Sequence, residues 1–143
     1  MKPYERNPLH HILPGLCLAL ALLLGLCPLW ASAQTAPSGT LKIKLFKSGK
    51  ADATLIRTDT HAVLLDAGEV DDAEDILAYM AQKGVRKLDL MILTHFDKGH
   101  AGGAAEILRT VPVARVMMPD YEKSSPTRDA LREALEESRA EQV

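Results

Sequence analysis

The sequence predicts a layered α/β domain, on three observations. Residues 41–46, Leu-Lys-Ile-Lys-Leu-Phe, alternate apolar and charged, the period of a half-buried strand. Residues 88–93, Leu-Asp-Leu-Met-Ile-Leu, are almost continuously apolar, as in a strand buried on both faces. Around them, strand-like runs alternate with segments whose apolar residues recur at helical spacing, which argues for helices layered on a sheet.

The chain begins with an address. Lys2 and Arg6 make a basic start, residues 16–26 are apolar without a charge, Pro28 breaks the run, and Ala31, Ser32 and Ala33 are the small residues of a cleavage site. The apolar core is shorter than the roughly 20 residues of a membrane span. Residues 1–33 are therefore expected to be a signal peptide, with Gln34 as the mature N-terminus and a periplasmic or extracellular destination. An uncleaved anchor and a lipoprotein at Cys27 are the competing readings; Leu26 is larger than the residue that lipid attachment wants before the cysteine. Residues 34–40, with Pro37 and Gly39, read as a linker, leaving 41–143 as the domain.

Within the domain, 41–46 is the first strand, Ser48, Gly49 and Lys50 turn the chain, 53–58 is the second strand and 61–65 the third, the last two forming a hairpin. Asp66, Ala67 and Gly68 close that strand. Asp71 and Asp72 open a helix where acids suit the positive end of the dipole; Ala73, Ile76, Leu77 and Met80 are its buried stripe, and Gly84 ends it. The strand 88–93 leads into a loop, 94–103, then a short helix, 104–109, and a strand, 113–118. Pro126 starts a last helix at its favoured first position, with Leu131, Ala134, Leu135 and Ser138 along one side, and the acidic segment 136–143 carries it to the end without a cap.

The 143 residues suffice for one domain at most. A formal net charge of −2 with no single-sign run argues against a nucleic-acid arm or a membrane-surface helix. With 4% aromatic residues, stacking platforms for single strands are not expected either, and no stable nucleic-acid partner is predicted. Both cysteines, Cys17 and Cys27, lie in the address, so the mature chain has neither an internal disulfide nor a thiolate zinc site. Any metal has to be held by His, Asp or Glu.

The chemistry concentrates in Thr94-His95-Phe96-Asp97-Lys98-Gly99-His100-Ala101-Gly102-Gly103. Imidazole nitrogen and carboxylate oxygen both suit zinc or manganese. Leaving a strand, His95 and Asp97 share a side because side chains alternate, and the loop can turn His100 towards them. Gly102 and Gly103 permit close backbone approach. Spacing alone leaves a plainer alternative open, in which Asp97 caps a turn and His100 sits at a helix start.

The same segment resembles the metallo-β-lactamase superfamily signature H-x-[HD]-x-D-H followed by Gly-Gly, and its Asp97 variant resembles the ComEC-like subgroup. Gly49-Lys50-Ala51-Asp52-Ala53 with Leu55-Ile56 looks like that group's G-[QK]-[GA]-D-A-x-L-I start of a strand. Val63-Leu64-Leu65-Asp66-Ala67-Gly68 and the run from Leu88 to Thr94-His95 resemble its next two motifs, in the same order. The resemblance implies the N-terminal half of a four-layer αββα sandwich. It implies a hydrolase, exported if residues 1–33 are a signal peptide, that uses a hydroxide held on one or two Zn2+ ions, with Mn2+ as the other candidate. Carried over, His95 and Asp97 are first-site ligands and His100 a second-site ligand. Asp66 is a buried support of the metal loop, Gly68, Gly102 and Gly103 shape it, and Asp52 serves its own strand start, with a place near the metal cleft as the alternative. No residue is assigned a catalytic role. His61 matches no ligand and reads as an exposed hairpin residue; Lys98 reads as a solvated loop charge.

Two departures qualify that implication. Gly99 stands where the family usually has an Asp ligand, and the family's later ligands and second sheet fall beyond residue 143. The chain is thus expected to be a fragment or, if it is full length, to be unstable alone or completed by a partner or by self-association, since a bare sheet face loses the burial that stabilises the fold. The expected substrate is a small molecule or a phosphodiester, nucleic acid included. The competing functions are an inactive remnant of the same fold and a metal-free α/β binding module.

Overall fold

The computed structural model describes residues 39–47 and 49–143. The expected signal peptide, both cysteines, most of the expected linker and Ser48 lie outside the described residues. The elements are β1 (Lys42–Leu45), β2 (Ala53–Arg57), β3 (Ala62–Ala67), α1 (Asp72–Gln82), β4 (Leu90–Ile92), α2 (Lys98–Ala101), α3 (Ala104–Thr110), β5 (Arg115–Met117), α4 (Pro126–Glu137) and β6 (Glu141–Gln142). Among the described residues no helix is long and apolar enough to cross a membrane.

The strands form one mixed sheet in the order β1-β2-β3-β4-β5-β6. β1, β2 and β3 are antiparallel neighbours, and β3 to β6 pair in parallel. Antiparallel neighbours need only a tight turn, and here the Thr58 hydroxyl accepts from the His61 and Thr60 amides to close one. Parallel neighbours need crossovers, which the helices supply. Crossovers are right-handed, and strands that step in one direction therefore place all their helices on one face.

The register shows the consequence. Leu55, Leu64, Met91 and Val116 are successive partners across β2, β3, β4 and β5, and each is fully buried. They pack in one core with Ile76 and Met80 of α1, Ile107 of α3 and Leu131 of α4. The alternate positions carry Ile43, Ile56, Val63 and Leu90 in one row and Leu45, Thr54, Leu65, Ile92 and Met117 in the next. Among the described residues that face has no helix over it, and Ile43, Leu45 and Met117 stand exposed.

Three expectations need correction. The alternation in β1 marks a strand, but its apolar side is the uncovered one. Lys44 pairs with Leu55 on the helix side, with its ammonium 5.5 Å from the ring centres of Phe46 and Tyr79; a lysine stem packs well on aromatic faces. The last helix does not run to the end. It stops at Glu137, Ser138 bonds back to Leu135, and the following residues pair with β5 through Glu141 N to Ala114 O (2.9 Å) and Val143 N to Val116 O (3.0 Å). Polar side chains suit this strand because both its residues, Glu141 and Gln142, are exposed. Finally, the loop after β4 contains the single helical turn α2.

The remaining ends follow their chemistry. Ser125 caps α4 by accepting from Arg128 N at 3.2 Å, ahead of Pro126. α1 ends in a paired reverse turn around Gly84, with Val85 N bonded to Met80 O and Gly84 N to Ala81 O. Asp89 clamps the start of β3, accepting from Ala62 N at 2.9 Å while its own amide donates to Ala62 O at 2.8 Å. That backbone bond, seconded by Lys87, holds the Asp89 carboxyl below the usual carboxylate range.

Candidate metal centre

The site is built on a distortion of β3. Ala53 pairs with Ala67 and Thr54 with Leu65, so Asp66 is the extra residue of a bulge. Its φ is 54°, the left-handed region that few residues other than glycine occupy and that aspartate tolerates better than most. A bulge re-aims a side chain, and Asp66 is turned into the protein, 4% exposed. Its Oδ1 accepts from Thr94 N at 2.8 Å; its Oδ2 accepts from Thr94 Oγ1 at 2.8 Å and lies 3.0 Å from His100 Nδ1. A carboxylate only accepts, so Nδ1 is the protonated nitrogen of His100, and the tautomer this selects for the neutral ring has its lone pair on Nε2. Thr94 has one hydroxyl proton, already given to Asp66, so at 2.8 Å it accepts from His95 Nδ1. His95 is therefore left with Nε2 free as well. One buried carboxylate thus sets both imidazoles, the arrangement that orients metal-binding histidines.

Phe96 anchors the loop from below. It is 1% exposed, meets the Tyr121 ring at 5.2 Å edge-on, and carries the Arg128 guanidinium 4.7 Å above its centre. Arg128 Nε is buried with no hydrogen-bond partner. Because Phe96 points inward, its neighbours His95 and Asp97 point out together, and His95 Nε2 lies 3.8 Å from Asp97 Oδ2. The His95 and His100 rings touch, centres 3.6 Å apart. Asp52 contributes through its backbone, which accepts from Gly68 N and donates to Gly99 O; its carboxylate, 76% exposed, is 3.8 Å from His100 Nδ1 rather than bonded into its own strand start.

Gly102 and Gly103 stand where backbone crosses backbone. A Cβ at Gly102 would lie 2.8 Å from Glu69 Cα, and one at Gly103 would lie 2.5 Å from Ala67 O. Gly68, at φ 65°, faces Asp72 as closely. At Gly99 a Cβ would meet only Ala51, at an ordinary 3.5 Å; that glycine is not required by the backbone.

Sequence reasoning missed two participants. Thr94 was part of the motif, but its role is visible only once Asp66, 28 residues earlier, is beside it. Lys123 carried no signal at all. Its ammonium ion-pairs with Asp97 Oδ1, which lowers the Asp97 carboxyl and raises the Lys123 amine from their ordinary values. His61 is exposed in its turn, bonded to the Thr60 hydroxyl, and Lys98 is exposed beside Glu69. A groove of about 1160 Å3 between α1 and α3, lined by Leu77, Val85, Glu106 and Val111, contains none of the histidine-loop residues.

The donor set suits zinc or manganese in kind: two imidazole Nε2 atoms and a carboxylate. Two ligands of a tetrahedral zinc stand about 3.4 Å apart, close to the 3.8 Å between His95 and Asp97. The three side chains gather without closing, since among the described residues no three His, Cys, Asp or Glu side chains are grouped to hold a metal ion.

The superfamily model of the metallo-beta-lactamases matches residues 48–140. This chain belongs to the metallo-beta-lactamase superfamily. Competence protein ComA of Neisseria gonorrhoeae is 32% identical over 111 residues, covering 67% of this chain and 16% of that protein. Recombination protein 2 of Haemophilus influenzae is 34% identical over 85 residues, 56% of this chain and 11% of that protein. Hydroxyacylglutathione hydrolase of Aliivibrio salmonicida is 36% identical over 64 residues, 45% of this chain and 24% of that protein. The chain thus spans a quarter or less of the curated relatives it matches. The first two relatives agree with the ComEC-like form of the motif. The single sheet with helices on one face is half of the superfamily's sandwich, one α layer and one β layer.

Proposed function

We propose that this chain is the metal-loop half of an exported metallo-hydrolase acting on a phosphodiester, nucleic acid included. One observation carries the reading: in a superfamily loop, Asp66 and Thr94 hold the Nδ1 atoms of His100 and His95, which leaves both Nε2 atoms unengaged by them, that of His95 3.8 Å from Asp97 Oδ2. His95, Asp97 and His100 would hold zinc or manganese. When bound, such an ion supplies an acidified water. Asp66, directly on His100 and through Thr94 on His95, fixes the two rings in direction, and Phe96 keeps His95 and Asp97 on one side. The substrate class is inferred from the competence and recombination relatives. The basic, apolar and small-residue pattern of residues 1–33 supports export.

Metal analysis tests the reading. The purified chain should hold zinc or manganese, and His95→Ala should lose it; a folded chain that takes up neither ion overturns it. Export predicts a periplasmic or extracellular product beginning at Gln34. A second reading, an inactive remnant, is favoured by Gly99, which offers no carboxylate although a Cβ there would make only ordinary contacts. Gly99→Asp separates the two. Phosphodiester hydrolysis that appears only in the variant assigns the natural chain to the remnant class.

A further inference from the structure

We infer that Lys123 is a resident counter-cation of Asp97 that a divalent ion has to displace, so that one arm of the metal loop is latched by the chain's own ammonium group. The inference rests on the metal-binding reading above. Asp97 divides its two oxygens: Oδ1 takes Lys123, and Oδ2 faces His95 Nε2 at 3.8 Å. An ion bound between Oδ2 and His95 Nε2 would sit a few ångströms from the ammonium, and like charges at that range repel. No carboxylate relieves them from position 99, which is glycine. The Asp66 carboxylate is already committed to Thr94 and His100.

The latch is built rather than incidental. Lys123 sits in the segment between β5 and α4. That segment is docked on the metal loop itself, because Tyr121 packs on Phe96 and its hydroxyl lies 3.4 Å from Phe96 N. Two residues on, Lys123 reaches the residue next to Phe96.

The test is zinc titration of the whole chain against a chromophoric chelator at low ionic strength. Lys123→Met should bind zinc about two- to fivefold more tightly than the parent, the range set by an exposed pair. The gap should narrow as salt is added, and Lys123→Arg should behave as the parent. A second readout does not depend on any variant's affinity. In the parent with isotope-labelled methylated lysines, zinc should shift one lysine resonance, and that resonance should be missing from Lys123→Met. Equal or weaker zinc binding by Lys123→Met, with no lysine shift in the parent, overturns the latch while leaving the metal reading standing. Absence of zinc binding in parent and variants alike overturns the metal reading first and the latch with it.

Discussion

His100 and Asp97 lie three residues apart in one loop and are held in opposite ways. His100, with a side chain 19% exposed, is bonded to a carboxylate that is itself buried. Asp97, 55% exposed, is held by a flexible ammonium from another part of the chain. Buried, charge-assisted bonds are strong and costly to lose, whereas exposed pairs are weak and easily exchanged. The difference separates a rigid arm of the site, set at folding, from an exchangeable arm, set by whichever cation is present.

The strongest way to break that contrast is Asp66→Ala. It leaves the Thr94 amide and hydroxyl and the His100 imidazole without their common acceptor, and it puts alanine into a left-handed backbone that aspartate tolerates better. We expect a loss of about 3 kcal/mol in stability by urea unfolding; a loss below about 1 kcal/mol would show the rigid arm to be no more than a surface contact. Thr94→Val comes next, removing one hydroxyl relay at a cost of about 1 kcal/mol. It should weaken zinc binding by roughly tenfold, the lower end for a residue that orients a metal-binding histidine; unchanged affinity would mean His95 is oriented without it.

Asp89→Asn is the control away from the site. The folded Asp89 carboxyl is held below its unfolded value by the Ala62 amide and Lys87, so its contribution is present above the unfolded pKa of about 3.9 and is lost as pH falls through the folded value. The parent should therefore be more stable than the variant near neutrality, by about 1 kcal/mol or less, and the two curves should converge below about pH 4. Stability curves that remain parallel down to pH 2 would dismiss the clamp. Asp97→Asn has the smallest effect on folding: an unchanged melting temperature, with zinc binding lost. A clear drop in melting temperature would move Asp97 from the exchangeable arm to the rigid one.

The same division decides what could be read in advance. Elements whose cause is local were legible: the hairpin from its polar turn, α1 from its acidic start and Gly84, α4 from Pro126, and the histidine loop from its spacing. Period two announced β1 but could not say which side the core lies on, because that depends on where the crossovers place the helices. β6 was hidden because its two residues are exposed and join the sheet only through backbone. Asp66 and its loop were readable through resemblance. The Asp66–Thr94 and Lys123–Asp97 contacts were not readable from spacing, since 28 and 26 residues separate the partners and no periodicity links them.

The bulge at residue 66 also makes a statement about which amino acids that site will accept. Its backbone filters for glycine, asparagine and aspartate, while the three bonds around it filter for a short acidic side chain. Only one of the twenty residues passes both filters. A library randomised at that codon and selected for the folded, zinc-binding state should return aspartate almost alone, with asparagine as the nearest survivor and glutamate eliminated despite its charge.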